Sequence, residues 1–171
     1  MTKHFSDNVI FYDAEFTSLN LRDGELLSIA LVKPTGEELY LELDYTAPLD
    51  PWVEKNVIPT LNQEKFSRAE ARDKITSFIG EGHPYLVAYV NQFDSVFWYD
   101  LFGSPKEHPV FWVPIDFASI LFAYGYDPVS LNKQRFFEEL GLNREDYGKH
   151  NALDDARLLK DVYLKFTEKM A

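Results

Sequence analysis

Asp13 and Glu15 stand two residues apart in the stretch Val9-Ile10-Phe11-Tyr12-Asp13-Ala14-Glu15-Phe16. The β-branched and aromatic residues around them read as a strand, in which alternate side chains share a face about 6.5–7 Å apart. Val9, Phe11, Asp13 and Glu15 then lie on one side, and Ile10, Tyr12, Ala14 and Phe16 on the other. Two carboxylates side by side at the end of a strand with two apolar faces repel each other and lose solvation. A divalent cation resolves both problems, since hard ions take oxygen ligands from several segments. A strand that ends at Asp13, leaving both acids in water, accounts for these residues equally well.

A third acid sits in the last helical stretch, from about Asn151 to Met170. With Asp155 as origin and 100° per residue, Ala152, Leu159, Val162, Tyr163, Phe166 and Met170 fall within about 80° of it. Asp154, Arg157, Asp161 and Glu168 fall about 100° or more away, with Lys165 at the border of the stripe. Of two adjacent aspartates, Asp154 therefore reads as solvated, while Asp155 lies on the apolar stripe and needs a partner. The helix dipole supplies part of one, because acids near a helix N-terminus are favoured. His150 lies just before this helix, five residues ahead of Asp155, and could accept a proton at neutral pH. Asp94 follows the apolar run Tyr85 to Val90 and, on local grounds, reads as the N-cap of a helix through Phe102. Asp116 stands at a similar strand exit, after Val113-Pro114-Ile115.

The elements that must hold these residues follow from pattern. Leu26 to Lys33 is a second strand, Pro34-Thr35-Gly36-Glu37 is turn chemistry, and Glu38 to Leu43 alternates polar with apolar. Pro48 to Pro59 reads as a proline-bounded helical turn and loop. Ser67 and Glu70 form a capping-box signature ahead of the stripe Ala71, Ile75, Phe78 and Ile79, which Gly80 and Gly82 end. Tyr85 to Val90 and Val110 to Ile115 read as strands, and Phe117 to Tyr124 and Leu131 to Leu140 as helices. Three meandering strands followed by alternating helices and strands predict an α/β chain with a mixed sheet.

Composition narrows the chemistry. The 171 residues, 46% hydrophobic and 26% charged, suit one globular domain rather than a disordered chain. With no cysteine, disulfide frameworks, thiolate metal sites and cysteine nucleophiles are excluded. The first residues, Met1-Thr2-Lys3-His4-Phe5-Ser6-Asp7, lack the apolar run of a secretory signal, and no stretch is long enough to span a membrane. A soluble, cytoplasmic protein without a membrane partner is the expectation. Seventeen basic against 28 acidic residues give a net charge of −11. Such a field disfavours a broad grip on duplex nucleic acid. It does not disfavour an enzyme that takes a chain end through bound cations.

The set Asp13-Ala14-Glu15-Phe16-Thr17-Ser18-Leu19, then Asp94, then His150-Asn151-Ala152-Leu153-Asp154-Asp155-Ala156 resembles the DnaQ-like 3′–5′ exonucleases of the DEDDh type. The motifs occur in that family's order and run through most of the chain. The resemblance implies an RNase H-like α/β fold, with a central mixed five-stranded sheet of three antiparallel N-terminal strands and then parallel ones, flanked by helices. Residues 1–171 would form a single exonuclease domain. Within the group, Tyr89-Val90-Asn91-Gln92-Phe93-Asp94-Ser95-Val96-Phe97-Trp98 and Leu101-Phe102-Gly103 are most similar to the mycobacterial-type small 3′–5′ exoribonucleases. Tyr89-Val90 stand where the second motif usually has a glycine or histidine before its asparagine.

By that resemblance Asp13, Glu15, Asp94 and Asp155 would be catalytic acids holding two divalent cations, Mg²⁺ or Mn²⁺, and His150 the general base. Phe16, Thr17 and Leu19 would bind the terminal nucleotide. The implied reaction is hydrolysis of RNA from its 3′ end to nucleoside 5′-monophosphates. The implied partner is a nucleic acid 3′ end, RNA ahead of DNA, and a homodimer stays open. A DNA proofreading or repair exonuclease is the alternative, and a non-catalytic interaction module of the same fold a further one. Lys133, Arg135, Arg144 and Lys149 could guide phosphates, but their acidic neighbours Glu138, Glu139, Glu145 and Asp146 favour a solvated face.

Overall fold

The computed structural model describes residues 5–104 and 107–170. Residues 1–4, part of the segment read for a secretory signal, lie outside it. Six strands form one mixed sheet in the order β4-β3-β2-β1-β5-β6. β1 (Val9–Phe16) lies at its centre, antiparallel to β2 (Leu26–Val32) and parallel to β5 (Tyr85–Ala88). β3 (Glu38–Leu43) pairs antiparallel with β2. Two strands have only two residues each: β4 (Lys65–Phe66), parallel to β3, and β6 (Ile115–Asp116), parallel to β5. β4 is the strand beyond the five expected, too short to show an alternation. Of the run Val110 to Ile115, only Ile115 joins the sheet.

Helices cover both faces, which is why β1 is apolar on both sides. Ile10, Tyr12, Ala14 and Phe16 pack against α2 (Arg68–Ile79) and α3 (Gln92–Phe102) through Ala71, Ile75, Phe97 and Trp98. Phe11, with Ala30 and Val87 from the neighbouring strands, packs against α4 (Phe117–Ala123), α5 (Gln134–Leu140) and α6 (Ala152–Met170). Asp13 and Glu15 follow Phe11 on this second face. The short α1 (Pro51–Asn56) and the 3₁₀ turn Ile58–Thr60 lie between β3 and β4. Further 3₁₀ turns, Ser130–Asn132 and Arg144–Asp146, flank α5.

The ends of several elements follow from their sequence. Ser67 and Glu70 close the capping box of α2 in both directions. α6 begins where Asn151 Oδ1 accepts from the N–H groups of Leu153 (3.1 Å) and Asp154 (3.3 Å). Its buried residues include Ala152, Leu159, Val162, Tyr163 and Phe166, the stripe expected from a 3.6-residue period. No helix among the described residues is long and apolar enough to cross a membrane.

Candidate active site

At the C-terminal end of β1, Asp13 and Glu15 meet Asp155 from the first turn of α6. One carboxylate oxygen from each lies within 4.8 Å of the others. Strand pleating puts the first two on the α6 side, and helix periodicity turns the third toward them. Asp13 and Asp155 line a cavity of about 510 Å³ that also takes in Tyr89, Arg144, Lys149 and His150.

Three acids this close cannot all ionise without cost. Burial raises the Asp13 carboxyl well above the usual range, and the charges of Asp94, Asp155 and Glu15 raise it further. Burial lifts Glu15 to about 8, with Asp155 and Asp94 adding to it. Asp155 is also raised by burial, against the opposing pull of Arg144 and His150.

Asp94 is 7% exposed, and its Oδ1 has no hydrogen-bond partner among the described residues. It is the third residue of α3, not the N-cap expected from the sequence. Asn91 takes the N-cap position and makes no side-chain capping bond. Burial lifts the Asp94 carboxyl to about 7, partly offset by the N–H groups of Asp94 and Ala14. A buried carboxylate oxygen without a donor, beside three mutually repelling acids, is a donor set suited to hard divalent cations. The residues present fit such ions. Asp116, by contrast, caps α4 through the N–H groups of Ala118 and Ser119.

Val90, next to the cavity-lining Tyr89, and His150, which lines the cavity itself, adopt left-handed backbone conformations, with φ of 56° and 58°. A β-branched residue there is strained by roughly 1–3 kcal/mol. A glycine would adopt this φ without strain. His150 is held from outside its own loop. The Thr60 hydroxyl lies 2.9 Å from the His150 carbonyl, and the Trp52 ring meets the imidazole edge-on with centroids 4.8 Å apart. The turn carrying Thr60 is itself anchored. Buried Glu42 accepts from the N–H groups of Asn62 (2.8 Å) and Gln63 (3.1 Å) through Oε1.

The three residues expected to touch a nucleotide go to different places. Phe16 is a core residue stacked on Phe97, with ring centroids 4.2 Å apart. Thr17 is fully buried and closes the following loop. Its N–H donates to the Glu25 carbonyl (2.8 Å), and its hydroxyl accepts from the Glu25 N–H (2.9 Å). Gly24 completes that loop, where a Cβ would come within 2.6 Å of the Ser18 carbonyl oxygen. Leu19 is 60% exposed on it.

The basic residues also differ from a uniform solvated face. Arg135 is exposed and pairs with Glu139, and Lys133 pairs with Asp127. Arg144 is drawn in, its side chain only 19% exposed. Its Nη1 donates to the carbonyls of Tyr147 (3.2 Å) and Gly148 (3.1 Å), and its Nη2 to Asp155 Oδ1 (3.3 Å). No periodicity marks a residue in such a turn, and the burial of Arg144 comes from a contact eleven residues on. Asp154 points away from the cluster, as its helix face requires, and binds Arg157, which also grips Glu38.

No protein-family model matches this chain, and no curated protein sequence does. Solved structures do match its fold. A 3′-exonuclease engaged in 3′-end-specific recognition of a histone mRNA stem-loop superimposes with a TM-score of 0.68 at 12% identity, over 96% of this chain and 65% of that one. Exonuclease I of E. coli in complex with a dA16 oligonucleotide gives 0.62 at 14%, over 94% and 40%. The zinc-bound form of the E. coli exonuclease I–single-stranded DNA complex gives 0.63 at 13%, over 94% and 40%. The chain therefore spans about two-fifths to two-thirds of the length of these neighbours. It has the α/β, RNase H-like fold that these 3′-exonucleases share.

Proposed function

We propose, on the premise of that shared fold, that the protein is a metal-dependent 3′–5′ exonuclease whose chain acts as a single exonuclease domain. The observation carrying this reading is the convergence of Asp13, Glu15 and Asp155 within 4.8 Å beside a cavity lined by His150. The zinc-bound neighbour and the orphaned Asp94 oxygen support a site for cations. Asp13, Glu15 and Asp155 would hold two divalent ions, Mg²⁺ or Mn²⁺, with Asp94 contributing from α3. When bound, such ions lower the pKa of an attacking water and stabilise the departing 3′-oxygen.

The chain's own residues do the rest. His150 takes the proton from the water that attacks the last phosphorus, a contribution of roughly 10²–10⁴-fold. The P–O3′ bond breaks, leaving a chain shortened by one nucleotide with a 3′-hydroxyl and releasing a nucleoside 5′-monophosphate. Thr60 and Trp52 keep the imidazole facing the cavity. Leu19, exposed beside the strand end, is the residue left to meet the terminal nucleotide, while Thr17 holds its loop and Phe16 supports it from the core. RNA is the preferred substrate in this reading, on the similarity of residues 89–103 to the mycobacterial-type exoribonucleases. The cysteine-free chain is read as cytoplasmic.

The test is a pair of matched RNA and DNA oligonucleotides, labelled at the 5′ end, incubated with the protein and Mg²⁺ or Mn²⁺. The reading expects a ladder of 3′-shortened RNA with nucleoside 5′-monophosphates as the small product. Faster loss of the DNA strand would leave the exonuclease and replace its substrate. Intact strands with either metal would remove the activity.

A further inference from the structure

The cavity beside the carboxylates has one feature that an acidic metal site does not need. Its lining includes two cationic side chains, Arg144 and Lys149, and Lys149 is exposed. Arg144 is 19% exposed and fixed at two points. Both carbonyls bonded to Nη1 come from its own loop, so the guanidinium stays in the cavity whatever Asp155 binds. Its bond to Asp155 is long at 3.3 Å, against about 2.7–2.9 Å for a good charge-assisted pair. A guanidinium has five N–H donors, and these three contacts leave Nε and one Nη2 hydrogen without a partner among the described residues.

A phosphodiester entering this cavity meets carboxylates on one side and needs positive charge on the other. Arginine and divalent ions commonly clamp a transferring phosphoryl group together. We infer that Arg144 is a phosphate-positioning residue of this same site, its Nη2 passing from Asp155 to a non-bridging oxygen of the phosphate under attack. The inference rests on the exonuclease reading for the identity of the ligand, and on the cavity alone for the anion. After hydrolysis that phosphate is the 5′-phosphate of the released nucleotide, so the product itself reports the contact. A merely structural role, tying the loop to Asp155, would not distinguish a nucleotide from its nucleoside.

The experiment is calorimetric titration of the full chain, with Mn²⁺ present, by adenosine 5′-monophosphate and by adenosine. Arg144→Gln should weaken the monophosphate by about 10–100-fold, the range for a hydrogen bond to a charged group, while adenosine is unaffected. Arg144→Lys, which keeps the charge without the fork, should fall between. Mn²⁺ affinity measured without nucleotide should hold or rise, because Arg144 competes with the ion for Asp155. Equal weakening of both ligands, or an unchanged monophosphate affinity, overturns the inference. If circular dichroism finds the Gln variant unfolded, the Lys variant decides by the same comparison. Loss of monophosphate discrimination in a protein that cuts no oligonucleotide would leave the phosphate site standing and remove the exonuclease. Mn²⁺-dependent cutting with Arg144-independent monophosphate binding would do the reverse.

Discussion

Raising the pH without divalent cations should destabilise this protein, and the effect should disappear when they are supplied. The Glu15 carboxyl titrates at about 8 in the folded chain, against 4.5 in the unfolded chain. Between those values the folded state keeps a proton that the unfolded state has released, so stability falls as pH rises through the interval. At 1.36 kcal/mol per pH unit, the ceiling for Glu15 alone is about 5 kcal/mol. Asp13, Asp94 and Asp155 are raised too, but the group titrates together and its parts do not add. For a domain of this size about 1 kcal/mol moves Tm by roughly 2–4 °C, so the ceiling corresponds to a fall of about 10–20 °C.

Other groups act outside this window or against it. Glu25, Glu38 and Glu70 are held below their ordinary values by hydrogen bonds, so their titration is complete on the acid side. Buried His108 titrates below its ordinary value and therefore favours stability as pH rises toward neutrality. The difference between wild type and Glu15→Gln isolates the Glu15 carboxyl. Thermal unfolding in EDTA, from about pH 5 to about pH 9, should show wild type losing Tm relative to that variant, and Mn²⁺ should restore most of the loss. Parallel curves for the two proteins, or a wild-type Tm that rises relative to the variant, would refute the reasoning.

Substitutions at four positions probe other parts of the arrangement. Asp155→Asn should abolish metal-dependent nucleotide release. Asp154→Asn, which loses only a surface pair to Arg157 with a median worth of about 0–1 kcal/mol, should leave the rate nearly intact. Thr60→Val removes the hydroxyl that lies 2.9 Å from both the His150 and the Val57 carbonyls. At about 0.5–1.5 kcal/mol it should lower kcat by roughly 2–10-fold with little change in KM, and Thr60→Ser should restore it. Phe16→Ala, which empties a core stack on Phe97, should cost about 3–5 kcal/mol in chemical denaturation, the range for a buried phenylalanine.

What the sequence revealed here tracks the range of the physics involved. The shared face of Asp13 and Glu15 and the inward turn of Asp155 follow from the periods of strand and helix, which are local. The capping box at Ser67 is local as well. β4 escaped because two residues make no pattern, and their pairing with β3 is a tertiary event. The N-terminus of α3 was misplaced at Asp94 because an aspartate after a strand is a good cap by type. The chain enters the helix three residues earlier, after a strained Val90, and the carboxylate is buried. Thr60 meets His150 across ninety residues. Arg144 sits in a turn where charge pattern suggested solvent, and only the folded cavity gives its guanidinium a role.

Diffraction from a crystal soaked in Mn²⁺, with anomalous differences recorded at the manganese edge, tests the central claim most directly. Manganese peaks bounded by the carboxylates of Asp13, Glu15 and Asp155, with Asp94 turned toward them, are the result expected. A cavity without anomalous density, its carboxylates paired to protein groups or facing solvent, would contradict it.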